Sequence, residues 1–302
     1  KKIIIFSRDE YKQDLMDKSL KNKSLRFFLG DVRDKERLLL ATKNVDFLIH
    51  AAALKQVPAL EYNPMEAIKT NIIGAQNVID CSLENKIKKI IALSTDKAVN
   101  PVNLYGATKL ASDKLFVAAN NFVGFQKTTF SVVRYGNVGF SRGSVIPIFL
   151  KQKQNKQKFF TVTDKKMTRF WISLEESVKF TIDCFNRMKG GEIFIPKIPS
   201  VYVTDIAKAI DPNFKIKVIG IRPGEKLHEV LCSREDNKQT LEFKDHFIIA
   251  PNIMINNKIQ NYNVDKRKEK GKIVKENFIY DSGSNKHFLK ISQIKKKISK
   301  GG

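Results

Sequence analysis

The sequence is poor in cysteine: Cys81, Cys184 and Cys232 are all that 302 residues contain, and they are far apart. An odd, scattered set excludes a disulfide framework and fits reduced thiols, so a cytoplasmic location is expected. Long apolar runs are missing too. None approaches the roughly 20 residues of a membrane helix, and no membrane partner is expected. No G-x-x-G-x-x-G occurs anywhere in the chain, so these residues hold no glycine-rich cradle for a dinucleotide pyrophosphate. Acidic residues number 31 against 55 basic ones, a formal net charge of +24. That balance invites nucleic acid, but the excess is lysine spread along the whole length. The aromatics sit in apolar runs such as Phe27-Phe28, which leaves no stacking platform for bases. An anionic substrate or cofactor is the expected partner instead. No internal repeat or strong linker stands out, and no metal is assigned.

What is present centres on Ile90 to Lys114, IIALSTDKAVNPVNLYGATKLASDK. Ile90 to Leu93 reads as a buried parallel strand. Ser94, Thr95, Asp96 and Lys97 follow at its carboxyl end, the edge at which open α/β sheets bind ligands. Asn100-Pro101 marks a turn, and a helix begins near Tyr105. Tyr105 and Lys109 share one helix face. A lysine there can lower the phenol's pKa and make Tyr105 a proton acceptor. A lone Y-x-x-x-K is also what an exposed helix pair looks like; the Ser-Thr-Asp-Lys run beside it favours catalysis.

Elsewhere, Lys2–Phe6, Leu25–Leu29, Val45–Ile49, Thr129–Val133, Glu192–Ile195 and Ile216–Ile221 read as strands. Helical stretches alternate with them, which predicts α/β architecture, a doubly wound parallel sheet. Ser7-Arg8 at the first strand end suits the 2′-phosphate of NADP. Asp31 could accept from an adenine amino group, and Asp34 reads as a helix cap. His50 reads as a packed histidine. Asn63-Pro64-Met65-Glu66 looks like a capping box, followed by an apolar stripe at Met65, Ile68, Ile72, Ala75, Ile79 and Leu83. Asn71 inside that helix needs a partner, and Gly74 suggests close backbone approach. Lys151–Lys158 reads as exposed surface, Ser173-Leu174-Glu175-Glu176 as a capped helix, and the tail from Asn256 as Lys/Asn-rich.

These residues resemble the extended short-chain dehydrogenase/reductase family, and more narrowly its inverting UDP-N-acetylglucosamine 4,6-dehydratase branch. The resemblance covers Lys2 to about Pro251. It is carried by SRDE at Ser7, GDVRD at Gly30, HAAALKQVP at His50, NPMEAIKTNIIGA at Asn63, STDKAVNPVNLYGATK at Ser94, RYGNV at Arg134, SRGSV at Ser141, MTRFW at Met167 and GIRPGEKLHE at Gly220. The commoner sugar-nucleotide 4,6-dehydratases carry Asp-Glu where this chain has Asp96-Lys97. Two departures stand out. The family's glycine-rich first strand and helix are not in these residues, and a strand-loop-helix of roughly 30–40 residues is expected upstream of Lys1. Gly139-Phe140 also departs from the family's usual pair before SRGS.

The resemblance implies a Rossmann-like NADP-binding domain over 1–136 and 170–197, with a substrate-binding lobe over 137–169 and 198–302. It implies cofactor contacts from Ser7, Arg8, Asp9, Lys12, Asp31, Val32, Ala51, Ala52, Ala53, Tyr105, Lys109 and Val138. Lys55, Asn137, Arg142 and Ser144 are implied substrate contacts, with Arg222 and Glu225 at the uridine diphosphate end. A homo-oligomer acting on UDP-N-acetylglucosamine, in surface glycan or flagellin glycosylation of the pseudaminic acid type, is the implied setting. In the implied chemistry Tyr105 takes the 4-hydroxyl proton, Lys109 holds the ribose and Thr95 bonds the sugar oxygen. Lys97 removes the 5-proton and Asp96 protonates the leaving 6-hydroxyl. Lys97 must be neutral for this, so burial or neighbouring cations are expected to lower its pKa. A 4- or 5-epimerase of the same family is the alternative, as is a non-catalytic truncated chain.

Overall fold

The structure is a computed structural model and describes residues 2–124, 126–255 and 260–301. Ile3–Ser7 (β1) runs parallel to Leu25–Leu29 (β2), with helix Glu10–Leu20 (α1) between them. Helix Lys35–Ala41 (α2) starts at Asp34, whose carboxylate accepts from the Arg37 amide, as a helix cap should. Phe47–His50 (β3) leads to Val57–Tyr62 (α3), Pro64–Ile68 (α4), a π-turn at Lys69–Ile73 and Gly74–Glu84 (α5). Lys89–Thr95 (β4), Leu104–Ala118 (α6) and Thr129–Tyr135 (β5) follow. Next come Asn137–Val138 (β6), Val145–Gln154 (α7), Phe159–Val162 (β7), Thr168–Ile172 (β8), Leu174–Arg187 (α8) and Ile193–Pro196 (β9). Ser200–Tyr202 (β10), Val203–Ile210 (α9), Lys215–Val218 (β11) and Val230–Cys232 (β12) come after these. Thr240–Glu242 (β13), His246–Ile249 (β14), Lys272–Ile273 (β15), Tyr280–Asp281 (β16) and Ile291–Gly301 (α10) complete the chain.

The main sheet has the order β15-β13-β14-β9-β5-β4-β3. Strands β3, β4, β5 and β9 are parallel; β14, β13 and β15 add antiparallel partners beyond β9. Alternation along β4 explains the helices on both faces. Ile90 and Ala92 pack with Val78, Ile79 and Phe116 of α5 and α6, while Ile91 and Leu93 pack with Phe180 and Cys184 of α8. Successive strand side chains point to opposite faces, so a continuous apolar run needs both faces covered. Each such side chain contributes about 1.5–3 kcal/mol on burial. Among the described residues β1 and β2 pair as strands only with each other, and Phe47 and Ile49 on the β3 edge are exposed.

A second core, with Phe149, Phe160, Trp171, Ile206 and Ile294, sits among α7, α9, α10 and the short strands β7, β8 and β11. The strands at 240–249, grouped with this lobe by the sequence division at 198, hydrogen-bond into the main sheet through β9. The lobe's β11 ends at Val218 rather than Ile221, while Lys151–Lys158 is exposed as expected apart from half-buried Gln152, with α7 ending inside it and burying Phe149 just before it. Part of the Lys/Asn-rich tail, 256–259, lies outside the described residues. The rest supplies β15, β16 and α10.

The capping box at Asn63 is not formed. Helix α3 runs straight into Asn63, whose amide donates to the Ala59 carbonyl at 2.9 Å, and Glu66 pairs with Arg33 and Lys69. The stripe from Met65 to Leu83 is not one helix face either. The π-turn adds a residue and rotates everything after it, so Met65 is exposed while Ala75 and Ile79 are buried. Asn71 lies in that turn. Its amide exchanges bonds with the backbone of Leu54 (2.8 and 2.9 Å) and donates to Thr108 at 3.0 Å. Gly74 is where α5 meets the sheet edge; a Cβ there would lie 2.7 Å from Val32 Cγ2.

Candidate active site

The carboxyl end of β4 turns abruptly. Asp96–Ala98 forms a single 3-10 turn, with Thr95 Oγ1 accepting from the Lys97 amide at 3.4 Å. Asn100 takes a left-handed φ of 44°, and Asn103 caps α6 by accepting from the Gly106 amide at 2.8 Å. The Asn103 side chain also donates to the Gly224 carbonyl, 2.8 Å away on the second lobe. The turn and the first winding of α6 therefore face each other across Gly106.

This local path brings Thr95, Asp96, Lys97 and Tyr105 together. Lys97 Nζ lies 3.0 Å from Asp96 Oδ1, which also accepts from the Thr95 hydroxyl at 3.0 Å. Burial holds the Tyr105 phenol above its ordinary pKa, opposed by the charge of Lys97 and by the nearby Thr95 hydroxyl. Lys97 is thus a cation that acts on Tyr105, alongside the Lys109 expected from the Y-x-x-x-K spacing. Lys109 is itself buried, which lowers its pKa, with Asp113 pulling the other way. Asp113 is anchored by Ser94 (2.7 Å) and Arg134 (3.1 Å).

Lys97 has a second carboxylate. Glu229, just before β12 and 2% exposed, places Oε1 3.2 Å from Lys97 Nζ. Arg169 of β8 approaches the same oxygen at 3.7 Å. Burial would lower the Lys97 pKa, but Asp96 and Glu229 outweigh it and hold the amine above its usual value. The expectation of a depressed lysine is therefore corrected: the neighbours that decide its charge are anions. Burial raises the Asp96 carboxyl, whereas Lys97 and Arg169 keep Glu229 below its ordinary range despite burial. Lys97 is thus favoured as a cation between two carboxyls of unequal character, Asp96 shifted toward its protonated form and Glu229 toward its anion. Lys226 closes the group by donating to the Val99 carbonyl.

The residues assigned to a cofactor collect at the ends of β1, β2 and β3. Ser7 Oγ accepts from the Asp9 amide at 3.1 Å, and Asp9 caps α1, with Lys12 beside it. Asp31 is held by Arg8 at 3.2 Å and by Arg33 at 2.7 Å. Partial burial would raise its pKa, but Arg33 and Arg8 bring it below the ordinary value. Ala51, Ala52 and Ala53 are exposed at the end of β3, whereas Val32 is buried against Gly74. Val138 packs on the main core. His50 is buried beside Phe116, its pKa pushed down to about 3 by burial and then Lys109.

On the substrate side, Asn137 Oδ1 and Ser144 Oγ are buried with no hydrogen-bond partner among the described residues. Lys55 is lowered by desolvation, then by Lys97 and Arg142, so these three cations stand within electrostatic reach of one another. Exposed Arg222 and half-buried Glu225 pair at 3.8 Å on the loop before β12. Around Gly139-Phe140, Gly139 packs on the Trp171 indole and Phe140 takes a left-handed φ of 60°. The sequence reading missed Arg33, Arg169, Lys226 and Glu229. A glutamate opening the run Glu229-Val230-Leu231-Cys232 was the available signal, since a charge leading into a buried strand needs a partner.

Residues 1–251 match the sequence model of the polysaccharide biosynthesis protein family, a span that contains every group just described. The chain belongs to that family. Among curated relatives, a UDP-N-acetylglucosamine 4,6-dehydratase (inverting) of Campylobacter jejuni is 58% identical over 284 residues, 94% of this chain and 85% of that protein. A UDP-glucose 4-epimerase of Rickettsia canadensis is 45% identical over 254 residues, 82% and 74% of the two chains. The X-ray structure of Pen from Bacillus thuringiensis matches with a TM-score of 0.88 and 37% identity, covering 99% of this chain and 90% of that one. DesIV, a dTDP-glucose 4,6-dehydratase from Streptomyces venezuelae solved with NAD and TYD bound, shares the fold at 18% identity. Its TM-score is 0.66, over 75% of this chain and 77% of that one. Among the described residues no helix is long and apolar enough to cross a membrane.

Proposed function

We propose that the protein is a cytoplasmic, NADP-dependent dehydratase that removes water across carbons 5 and 6 of UDP-N-acetylglucosamine, inverts carbon 5 and leaves a 4-keto-6-deoxy sugar. The observation that carries this reading is the contact of a raised Asp96 carboxyl with Lys97, beside Thr95 and Tyr105, at the carboxyl end of β4. The inverting dehydratase of Campylobacter jejuni, 58% identical, supports the substrate.

The cofactor rim fits a dinucleotide with a 2′-phosphate, since Arg8 and Arg33 share the single carboxylate of Asp31 and keep donors to spare. A dinucleotide held by Ser7, Arg8, Asp31 and Lys109 would supply a nicotinamide able to accept hydride from the sugar and give it back. Tyr105 receives the 4-hydroxyl proton, with Thr95 orienting the oxygen and Lys109 bonding the ribose. The resulting 4-ketone acidifies the 5-proton. Lys97 removes it, while Asp96, whose carboxyl burial shifts toward the protonated form, gives its proton to the departing 6-hydroxyl. Asn137 and Ser144 supply uncommitted polar atoms toward the sugar, and Lys55 and Arg142 add positive charge for the diphosphate. Arg222 and Glu225 serve its nucleoside end. In this reading 1–136 with 170–197 binds the cofactor, and 137–169 with the remainder of the second lobe binds the sugar nucleotide.

The test is the enzyme with UDP-N-acetylglucosamine in D₂O, with product mass and carbon-5 labelling followed together. Loss of one water with deuterium at carbon 5 is expected. An unchanged product mass would overturn the dehydratase reading in favour of an epimerase.

A further inference from the structure

A base that is held as a cation cannot work without somewhere to put its proton. Lys97 Nζ touches two carboxylates, Asp96 Oδ1 at 3.0 Å and Glu229 Oε1 at 3.2 Å. They are not equivalent. Asp96 is fully buried, shares its Oδ1 with Thr95 and lies on Lys97's own turn. Glu229 arrives from the second lobe, 132 residues later in the chain, and its Oε2 is buried with no hydrogen-bond partner among the described residues. Asp96 Oδ2 is likewise buried without a partner among the described residues, but Asp96 is the group assigned to protonate the leaving hydroxyl, which leaves Glu229 as the carboxylate with an uncommitted oxygen for the Lys97 proton.

We propose that Glu229 is the proton partner of Lys97, holding it as an ammonium between turnovers and accepting its proton when the amine must act as a base. The proposal rests on the dehydratase reading above and makes Glu229 a positioning residue that acts through Lys97. In the exchange an N–H bond of Lys97 breaks and an O–H bond of Glu229 forms. The ion pair becomes an amine and a carboxylic acid with no net change of charge. The amine then takes the 5-proton and becomes an ammonium again, and the C–H electron pair passes into the enolate of the 4-ketone. Asp96 releases its proton to the 6-hydroxyl, which leaves as water.

The groups around the pair favour this arrangement. Asp96 and Tyr105 approach from β4's turn and α6, Lys55 from the loop after β3, Arg169 from β8, and Lys226 from Glu229's own loop. His228 beside Glu229 is turned away and hydrogen-bonds Thr168 at 2.7 Å. Glu229 is fixed at its backbone, where the amide donates to Ser282 Oγ at 2.9 Å. Arg169 and Lys226 favour Glu229 as an anion, so it keeps the proton only until the Lys97 ammonium has given up the proton it took from carbon 5 and the amine is free to take its own back.

Competitive acetylation of the free enzyme tests this without turnover, because only a neutral amine reacts and Lys97 is about a quarter exposed (27%). Lys97 labelling is read by peptide mass spectrometry against pH in wild type, Glu229→Gln and Glu229→Asp. Removing one opposite charge at this distance is expected to move the Lys97 profile down by about one to three pH units. Glu229→Asp, with its shorter reach, is expected between wild type and Glu229→Gln, and it stands in if the glutamine variant does not fold. Superimposable profiles in all folded forms would overturn the proposal. With substrate in D₂O, carbon-5 deuteration by Glu229→Gln is expected to climb with pH where wild type is flat. A uniform fall with unchanged shape marks a merely structural residue and also overturns it. A wild type that releases no water sinks the dehydratase reading, while the acetylation profiles still decide the Glu229–Lys97 pairing.

Discussion

Gly106 lies directly against the backbone of Lys97: a Cβ on Gly106 would stand 2.1 Å from the Lys97 carbonyl oxygen. That atom belongs to backbone, so it cannot swing aside as a side chain would. Gly106→Ala must push the Asp96–Ala98 turn away from α6. Overpacking of this kind costs about 1–3 kcal/mol. A drop of that size in urea-unfolding stability is expected, with a fall in turnover larger than the loss of folded protein explains. A variant as stable and active as wild type would show that the turn is free to move.

Tyr105 and Lys97 serve different steps, and their variants should fail differently. Tyr105→Phe is expected to stop reduction of the cofactor by UDP-N-acetylglucosamine. Lys97→Ala is expected to leave some reduction visible at 340 nm while dehydrated product falls about 10²–10⁴-fold. If Lys97→Ala dehydrates near the wild-type rate, its assignment to the 5-proton is wrong.

Asp96 gives a pH prediction with a definite sign. Burial raises its folded carboxyl above the ordinary aspartate value of 3.8. The folded state then binds a proton more tightly than the unfolded chain, so stability from this group is lost as pH rises above that value. Asp96→Asn carries no such penalty. Its stability relative to wild type is expected to grow from pH 4 to pH 8, measured as urea midpoints, while dehydration is lost. Equal differences at both pH values would mean that Lys97 already neutralises the carboxylate.

Arg8 and Arg33 converge on Asp31, and each is expected to contribute to preference for NADP. Arg8→Ala should weaken NADP by about 1.5–3 kcal/mol with little effect on NAD. Isothermal titration with both cofactors reads this. Equal losses for the two would make Arg8 a support for Asp31 and nothing more.

Asn71→Ala removes three hydrogen bonds that tie the Leu54 backbone and Thr108 to the π-turn. Buried groups left without partners cost about 1–3 kcal/mol each. A comparable fall in unfolding free energy is expected, and hydrogen exchange should quicken at the Leu54 amide. Unchanged exchange there would show that another group takes over the bond.

The parts of the site that lie close together in the chain were legible in it. Thr95 to Lys109 is one strand end, one turn and one helix start, and local rules of period and capping suffice to bring those side chains near each other. Asn71 and Gly74 were legible as anomalies, since a buried amide and a helical glycine each demand a neighbour. The charge on Lys97 was not. The raised pKa rests partly on Glu229, which reaches the lysine only because β12 and β8 pack beside the turn, and no local pattern encodes that. The stripe after Met65 failed for a similar reason: a π-turn changes the period from within, and the residues that stabilise it, Leu54 and Thr108, are distant in sequence. Asn63 carried a true cap residue, but the preceding helix claimed it first.

The stretch from Arg222 to Glu229 latches the Asn103 cap through Gly224, grips the Val99 carbonyl through Lys226 and delivers Glu229 to Lys97. One short piece of chain thus sets both how the lobes meet and how the reactive lysine is charged. For anyone grafting the Asp-Lys pair onto a related scaffold, the unit of transplantation is two segments rather than one dipeptide. A lysine moved alone would enter a foreign pocket as an unbalanced cation.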